Sequence, residues 1–481
     1  MRALTLDLGT TSVRAAVVDE QGVVSHVTQR PITVTSPQAG ETELNATEIK
    51  TLALDCARTT LEQAGACEVL GVTNQRATTI VFDPMTGEPV GPALGWQDLR
   101  TVIDCLTLQA EGIRLAPNQS ATKARWLLAQ SGRSASGVKF ATIETWLAWH
   151  LTKGREHITD HSNAGVTGLV DLDLAWDSRI VEGLGLDVGM LPRIVDTMGS
   201  YGPADALAGA PTLTALIGDQ SASLFGQACA TRGAKITFGT GAMLDWISDV
   251  TAPTTLTRYR SGCFPTVAHS RGGQLTWAME GIGLSAGSCI EWLRDDLALV
   301  PDPASTDALA HSVPDANGVA FVPALAGLGT PQWDLGARGA FFGLTRGANR
   351  AHLVRAVLEG IAQTGADLLD AARVESASEL QELRVDGGMT ANSFMMQWLA
   401  NVTGLPVAVS SEREATTRGA GLMALVAAGH LELSDVDAMW TPGATYEPQW
   451  GDDQRLASRE EWRRVVARVE KTIPALSSIE F

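Results

Sequence analysis

Two aspartates stand where an apolar, strand-like run gives way to a polar segment containing glycine. Asp7 lies in the run 2–8, just before the turn 9–12 (GTTS), and Asp219 follows the run 216–218. Glycine lets backbone N–H groups approach an anion, and Thr and Ser hydroxyls add donors. A carboxylate beside such a turn can orient a hydrated Mg²⁺ or accept a proton from an attacking hydroxyl. These residue types together indicate phosphoryl transfer, which depends on positioning and charge.

Two further glycine turns follow predicted strands later in the chain, at 239–241 (GTG) and 386–388 (DGG). Hairpin turns that face each other across a cleft can clamp a polyphosphate. A single turn of this kind more often has a structural role and contacts no phosphate. The sequence contains no Walker P-loop pattern. Short dinucleotide-fingerprint and hydrolase-elbow patterns overlap at 281–287, where a small-residue entry to a helix explains them equally well. The prediction of phosphoryl transfer therefore rests on the glycine turns taken together.

A strand–turn–strand unit occurs once at the start of each half of the chain. The first joins the runs 2–8 and 13–18, and the second joins 234–238 and 242–247. Apolar runs separated by such turns predict hairpins, and their repetition predicts a duplicated fold. The helical spacing of 350–372 and the strand-like run 382–386 extend the second copy.

The stretch 226–233 lacks a core pattern, so we place the division between domains there. The predicted organisation is a first domain over 1–228, a second over 229–436, and a C-terminal tail over 437–481. The charged segment 452–471 is interpreted as a solvated helical cap on an otherwise irregular tail.

Composition excludes several classes of function. The 481 residues carry a formal net charge of −18, which disfavours a nucleic-acid partner held through counterion release. The six cysteines are scattered without metal-ligand spacing, so reduced, buried thiols are expected. An acid interrupts the N-terminal apolar run, and no run reaches the ~18 residues of a membrane span. We expect a cytoplasmic protein with no membrane partner.

Eight segments match a known family in order. Taken together, they resemble the FGGY carbohydrate kinases, most closely the members that act on glycerol, and the resemblance extends to about residue 429. The matching segments are 6–14, 71–76, 95–101, 121–126, 218–220, 238–241, 327–333 and 384–392.

The resemblance implies an α/β fold of two ribonuclease H-like, actin-type ATPase domains with a central cleft. ATP and a small polyol or sugar would bind there, and the Asp219 general base would drive in-line transfer to an acceptor hydroxyl, with Gln220 beside it. Arg76 and Trp96 match acceptor-site residues. Asp7 matches a residue that orients Mg²⁺ through water. The matched nucleotide and phosphate positions are Thr10, Thr11, Ser12 and Arg14 in the first hairpin, Thr240 in the second, and Gly287, Gly388 and Asn392 beside the nucleoside.

Several residues depart from the pattern of the glycerol-phosphorylating members. Those enzymes carry Glu, Tyr and Phe where this chain has Ala77, Asn118 and Met243, and they tend to carry Gln at Glu291. Losing a charged acceptor and a bulky ring removes discrimination and opens space. We expect a four- to six-carbon polyol or sugar as acceptor, with glycerol itself as the alternative.

Other interpretations of these residues remain open at this stage. Asp219 can merely cap a helix beginning at 221, Trp96 can be a core indole, and Arg76 can serve a structural ion pair. A non-catalytic nucleotide-binding relative and an actin-like ATPase motor share the expected fold. Relatives of this kind suggest a homodimer or homotetramer.

Overall fold

The computed structural model describes residues 1–479. The strands are β1 (Arg2–Leu8), β2 (Ser12–Asp19), β3 (Val24–Pro31), β4 (Val34–Thr35), β5 (Glu43–Leu44), β6 (Val69–Asn74), β7 (Thr79–Phe82), β8 (Ala93–Leu94), β9 (Lys139–Thr142), β10 (Ile158–Asp160), β11 (Arg193–Val195), β12 (Thr212–Gly218), β13 (Ala234–Phe238), β14 (Ala242–Ile247), β15 (Phe264–Arg271), β16 (Gln274–Gly283), β17 (Ala320–Val322), β18 (Ala340–Phe342), β19 (Leu383–Asp386), β20 (Val407–Ser410) and β21 (Pro442–Tyr446).

The helices are α1 (Ala46–Ala64), α2 (Val102–Ala110), α3 (Ala121–Ser131), α4 (Ile143–Leu151), α5 (His161–Ala164), α6 (Ser178–Gly183), α7 (Asp219–Gly226), α8 (Gly287–Asp295), α9 (Ser305–His311), α10 (Arg350–Glu375), α11 (Ser393–Thr403), α12 (Ala415–Ala427), α13 (Leu433–Ala438), α14 (Asp452–Val466) and α15 (Pro474–Ser477).

Two large sheets repeat one topology. The first has the order β12-β6-β1-β2-β3 and the second has β15-β16-β14-β13-β19-β20-β21. In each, an antiparallel hairpin (β1–β2, β13–β14) has a parallel strand beside it (β6, β19), then a second parallel strand (β12, β20). The repeat that the two hairpins predict is therefore present strand for strand, as expected of an actin-type fold.

Hydrophobic layers cover each sheet. Buried side chains of β1 and β6 pack with α1 and α4 in the first half, and those of β13 and β14 pack with α10 and α11 in the second. Asparagine side chains cap the N-termini of α1 and α10. The Asn45 side chain accepts from the Glu48 amide, and the Asn349 side chain accepts from the His352 amide. A smaller sheet, β4-β5-β8-β7-β9, lies beside the first and carries the loop after β8.

Two helices cross where the halves meet. The helix α12 follows β20 of the second half, yet its Leu422 and Met423 share a core with Val69 and Ala215 of the first sheet. The helix α7 follows β12 of the first half, and its Leu224 packs with Ile247 of the second sheet. Each half therefore has one helix that packs against the sheet of the other half. A domain boundary near residue 228 does not predict this packing.

The C-terminal segment requires a correction, because it is part of the second domain and its charged helix is not a solvated cap. Strand β21 pairs antiparallel with β20 at the sheet edge. In α14, Trp462 is 6% exposed and donates to an Asp367 carboxylate oxygen at 2.7 Å. Arg459 bonds the same carboxylate at 2.5 Å. The many charges of α14 hid this apolar stripe from the sequence interpretation.

All six cysteines are buried and free, as expected. Across residues 1–479, none of the helices combines the length and apolar character that crossing a membrane requires.

Candidate active site

The first hairpin places Asp7 at the inner end of β1, opposite Arg14 of β2. The turn closes through a Gly9 N–H donated to the Ser12 carbonyl at 2.9 Å. The Asp7 carboxylate lies 3.3 Å from Arg14 Nη1 and accepts a hydrogen bond from Thr417 Oγ1 at 3.2 Å. Burial raises the pKa of Asp7 to about 6, with Arg14 opposing the shift. A hydroxyl-rich turn and a buried carboxylate thus share one strand end.

Asp219 is the first residue of α7, so this helix begins two residues earlier than predicted. Its Oδ1 accepts from the Gln220 amide at 2.8 Å, and its carboxylate lies 3.9 Å from Arg76 Nε. Burial raises the pKa of Asp219, whereas the cations Arg76 and Lys235 hold it down. The residue that supplies the N-cap is Gly218, so capping does not account for the carboxylate.

An ion pair joins the two halves at this point. Arg76 follows β6 of the first half, and its Nη2 lies 2.5 Å from Glu280 Oε2 on β16 of the second. The structural-pair interpretation of Arg76 is therefore confirmed in part, because the guanidinium faces Glu280 and Asp219 together.

Sequence reasoning missed the second-half charges around this pair. Asp245 stands opposite Glu280 in the β14–β16 ladder, and its carboxylate lies 3.0 Å from the Lys235 ammonium. Lys235 also donates to Gln220 Oε1 at 3.2 Å. A signal was available: Lys235, Asp245 and Glu280 each interrupt an apolar strand. An unpaired charge does not persist there.

For the kinase activity that the resemblance implies, we expect Glu280→Gln to raise the acceptor KM by about 10-fold and to leave the ATP KM nearly unchanged, because Arg76 loses a charge-assisted partner. Steady-state kinetics with each substrate varied in turn measures both constants. Glu182→Gln, on exposed α6 of the first half, is the control. An acceptor KM equal to that of the unaltered enzyme contradicts the role of this pair.

The second hairpin turn is packed tightly against the start of α8. Gly287 N donates to the Gly239 carbonyl at 2.9 Å, and a Cβ at Gly287 would lie 2.5 Å from that oxygen. Thr240 is exposed at the tip of the turn, as a phosphate-binding position must be. The Thr240 carbonyl is occupied by the Ala286 amide at 2.8 Å, which fixes the turn.

The predicted nucleoside residues divide into two kinds. Gly388 is exposed with open space at its Cα, so it leaves room for a ligand. Asn392 is 8% exposed: its Oδ1 caps α11 through Met395 N at 2.8 Å, and its Nδ2 donates to Thr306 Oγ1 at 3.0 Å. The structure thus gives Asn392 a helix-capping role. Glu291 points to solvent from α8.

Trp96 is 37% exposed after β8, so the core-indole interpretation is wrong. Its Nε1 lies 3.4 Å from Thr10 Oγ1 of the first turn, which brings acceptor and phosphate candidates together. Thr11 is exposed, and Ser12 accepts from Gln29 Nε2 at 2.9 Å.

The three positions that depart from the glycerol pattern differ in their exposure. Ala77 is buried, Met243 is half-buried and Asn118 is exposed. At position 77 this chain therefore has a buried methyl group where the glycerol-phosphorylating members have a carboxylate. Position 118 is open to solvent.

The residues present fit a divalent cation and a nucleotide. The Asp219 carboxylate is near enough to Asp7 to raise the pKa of Asp7, so a cation held beside Asp7 would relieve that repulsion. The carboxylate oxygen atoms of Asp7 are hard ligands of the kind that Mg²⁺ and its bound water prefer. A buried Asp386 oxygen, Oδ1, has no hydrogen-bond partner among the described residues. Two glycine turns supply amide donors suited to phosphate.

Comparison with known proteins places the chain in a class and then in a family. The models for the N- and C-terminal domains of the FGGY family of carbohydrate kinases match residues 2–226 and 234–428. The glycerol kinase of Aromatoleum aromaticum is 39% identical, covering 98% of this chain and 99% of its own. The chain is a carbohydrate kinase with an alcohol acceptor, ATP and Mg²⁺. It belongs to the FGGY family.

Solved structures share the whole fold. Plasmodium falciparum glycerol kinase with ADP has a TM-score of 0.89 at 27% identity, covering 100% of this chain and 99% of its own. A ligand-bound xylulose kinase from Lactobacillus acidophilus has a TM-score of 0.87 at 19% identity, covering 99% of each chain. Because kinases for different acceptors share this fold, the acceptor is determined by local residues.

Proposed function

We propose that this kinase transfers the γ-phosphoryl group of ATP in line to a hydroxyl of a small polyol, with Asp219 as general base. The observation that carries the proposal is the meeting of Asp219, Arg76 and Glu280 at the junction of two halves that each supply a phosphate-type hairpin. A nucleotide clamp without an acceptor site would not need the half-buried Arg76 guanidinium beside Asp219.

The catalytic sequence follows from these positions. Arg76 donates to acceptor hydroxyls and Trp96 covers the carbon chain with its exposed indole face. Asp219 accepts the hydroxyl proton late, because a loose transition state needs little nucleophile activation. Its carboxylate must be ionised, and the cations Arg76 and Lys235 favour that form. Closure of the halves excludes water from the transfer.

The hairpin turns hold the phosphates. Thr10, Thr11 and Ser12 face the tail of ATP from the first half, and Thr240 faces it from the second. Asp7 would hold Mg²⁺ through water, and the bound cation would supply charge neutralisation at the phosphoryl oxygens. Gly287 and Gly388 leave space for the nucleoside, whereas Asn392 supports that site through the start of α11.

Glycerol is the first acceptor to test, because the most similar curated relatives named above are glycerol kinases. A four- to six-carbon polyol or sugar is the second candidate, favoured by Ala77 and the exposed Asn118, which remove a charged acceptor and open one side.

An ADP-release assay with glycerol, erythritol, xylitol, ribitol, xylulose and ribulose separates the two. The glycerol assignment predicts the highest kcat/KM for glycerol by at least about 10-fold, since a wrongly sized acceptor forfeits 1–3 kcal/mol. A four- or five-carbon compound with the highest value establishes the longer acceptor. No ADP release with any of these compounds or with six-carbon polyols and sugars, together with tight ATP binding, identifies a non-catalytic relative.

A homodimer or homotetramer and a cytoplasmic location stay predictions. The same assay excludes the ATPase-motor alternative if ADP release depends strictly on an acceptor.

A further inference from the structure

A buried arginine lies at the crossing of α7 and α12 without an ion pair. Arg418 is 8% exposed, and no carboxylate within residues 1–479 forms an ion pair with it. Its guanidinium instead donates to two backbone carbonyls, from Nη1 to Gly226 at 2.6 Å and from Nε to Gly22 at 3.0 Å. Burial lowers the pKa of Arg418. The nearby Glu412 carboxylate opposes that shift, but the hydrogen bonds of the guanidinium go to carbonyls. A buried charge held in this way constrains its surroundings strongly.

The two carbonyls belong to separate parts of the fold. Gly22 lies in the turn between β2 and β3, in the same sheet as the first phosphate hairpin. Gly226 is the last residue of α7, where helix carbonyls carry partial negative charge that attracts a guanidinium. Arg418 therefore connects the first sheet to the C-terminal end of the helix that Asp219 begins.

The helices α7 and α12 pack too closely where they cross for one to slide along the other. A Cβ at Gly226 would lie 1.8 Å from the Ala415 carbonyl, and one at Gly419 would lie 1.8 Å from the Ala222 carbonyl. The two helices are thus in backbone contact at Ala415 and Gly419, which flank Arg418 in the sequence.

The first turn of α12 and its N-cap residue, Glu414, also reach the first hairpin. Thr417 donates to Asp7 Oδ2 at 3.2 Å, and Glu414 Oε2 lies 2.7 Å from Arg14 Nη1. One helical turn therefore contacts the strand of Asp7 directly and the helix of Asp219 through Arg418.

We propose that Arg418 is a positioning residue: it fixes α7, and with it Asp219, against the first hairpin. The inference rests on the proposed function, because the consequence of misplacing α7 is a misplaced general base. A shift of about 1 Å in such a group lowers the rate about 100-fold.

Two variants disturb this contact by different means. Arg418→Met removes both donors and keeps the apolar stem. Gly22→Ala leaves Arg418 in place but puts a Cβ 2.8 Å from its Nε and Nη2. Gly22 has φ +73°, so the control is Gly209→Ala, at φ +78° with nothing within 4 Å. The control carries the same backbone strain without the collision.

For Arg418→Met and Gly22→Ala we expect kcat to fall about 10- to 100-fold, with ATP affinity and acceptor KM within about twofold. Amide hydrogen exchange in α7 should rise about 10-fold or more relative to α1, because local opening becomes easier. Arg418→Lys, which keeps a positive charge and one donating nitrogen, should recover part of kcat. Gly209→Ala should match the unaltered enzyme in both measurements.

A lowered melting temperature with unchanged kcat and unchanged α7 exchange overturns the proposal and leaves Arg418 a stabilising residue only. If the unaltered enzyme transfers phosphate to no acceptor, the proposed function fails, and α7 exchange alone decides the role of Arg418. If Arg418→Met does not fold, Gly22→Ala against Gly209→Ala decides it.

Discussion

Asp219→Asn is expected to lower kcat by about 10²- to 10⁴-fold, the range that a positioned general base contributes. The amide keeps the size of the side chain and can still accept from the Gln220 amide, so the start of α7 is preserved. It cannot accept the acceptor proton as a carboxylate does. Single-turnover phosphoryl transfer measures the loss, and calorimetric ATP binding should change by less than about twofold because Asp219 does not hold the nucleotide.

The matched control for this change is Asp452→Asn. Asp452 is likewise the first residue of a helix, α14, but it is exposed and paired with Arg455. It should keep the kcat of the unaltered enzyme. Equal kcat in Asp219→Asn and Asp452→Asn refutes the base assignment.

Asp7→Asn is expected to lower kcat by about 100-fold or more, because one carboxylate supports the cation that stabilises transition-state charge. The pKa of Asp7 is raised to about 6 by burial. In the unaltered enzyme, protons therefore compete with Mg²⁺ below about pH 6, and the apparent Mg²⁺ affinity should fall as pH decreases through that value. Mg²⁺ titrations of turnover at pH 5.5, 6.5 and 7.5 measure this trend.

The same shift predicts a gain in stability for Asp7→Asn. A carboxyl whose folded-state pKa is raised is favoured in its neutral form, and that stability is lost as pH rises through about 6. At pH 7 the ionised form costs about 3 kcal/mol, because the pKa of Asp7 lies at about 6 in the folded protein and at 3.8 in the absence of burial. Asp7→Asn should thus melt higher than the unaltered enzyme at pH 7 without Mg²⁺. Exposed Asp55→Asn should change neither melting nor turnover, and a Mg²⁺ dependence of Asp7→Asn equal to that of the unaltered enzyme contradicts the role.

The hairpins and the duplication were predictable because they rest on local signals. The alternation of apolar runs with glycine turns identified β1, β2, β13 and β14, and the 3.6-residue spacing identified α10. The strand ends then placed Asp7 and Asp219 correctly at the tips of β1 and β12.

Long-range pairings were not predictable from these signals. The register that sets Asp245 beside Glu280 and the Arg76–Glu280 pair, 204 residues apart, depend on how the halves meet. The packing of α7 and α12 against the opposite halves is determined by tertiary contacts, which the spacing of apolar residues within a helix does not predict. Asn392 was read from its motif as a nucleoside contact, whereas its position at the start of α11 gives it a capping role.

A crystal structure with Mg²⁺, a non-hydrolysable ATP analogue and the preferred acceptor tests the central claim most directly. The predicted result is a triphosphate held between residues 9–12 and 239–241, with an acceptor hydroxyl about 2.6–3.2 Å from an Asp219 carboxylate oxygen. A triphosphate bound to one turn alone, with Asp219 out of reach of every acceptor hydroxyl, would contradict it.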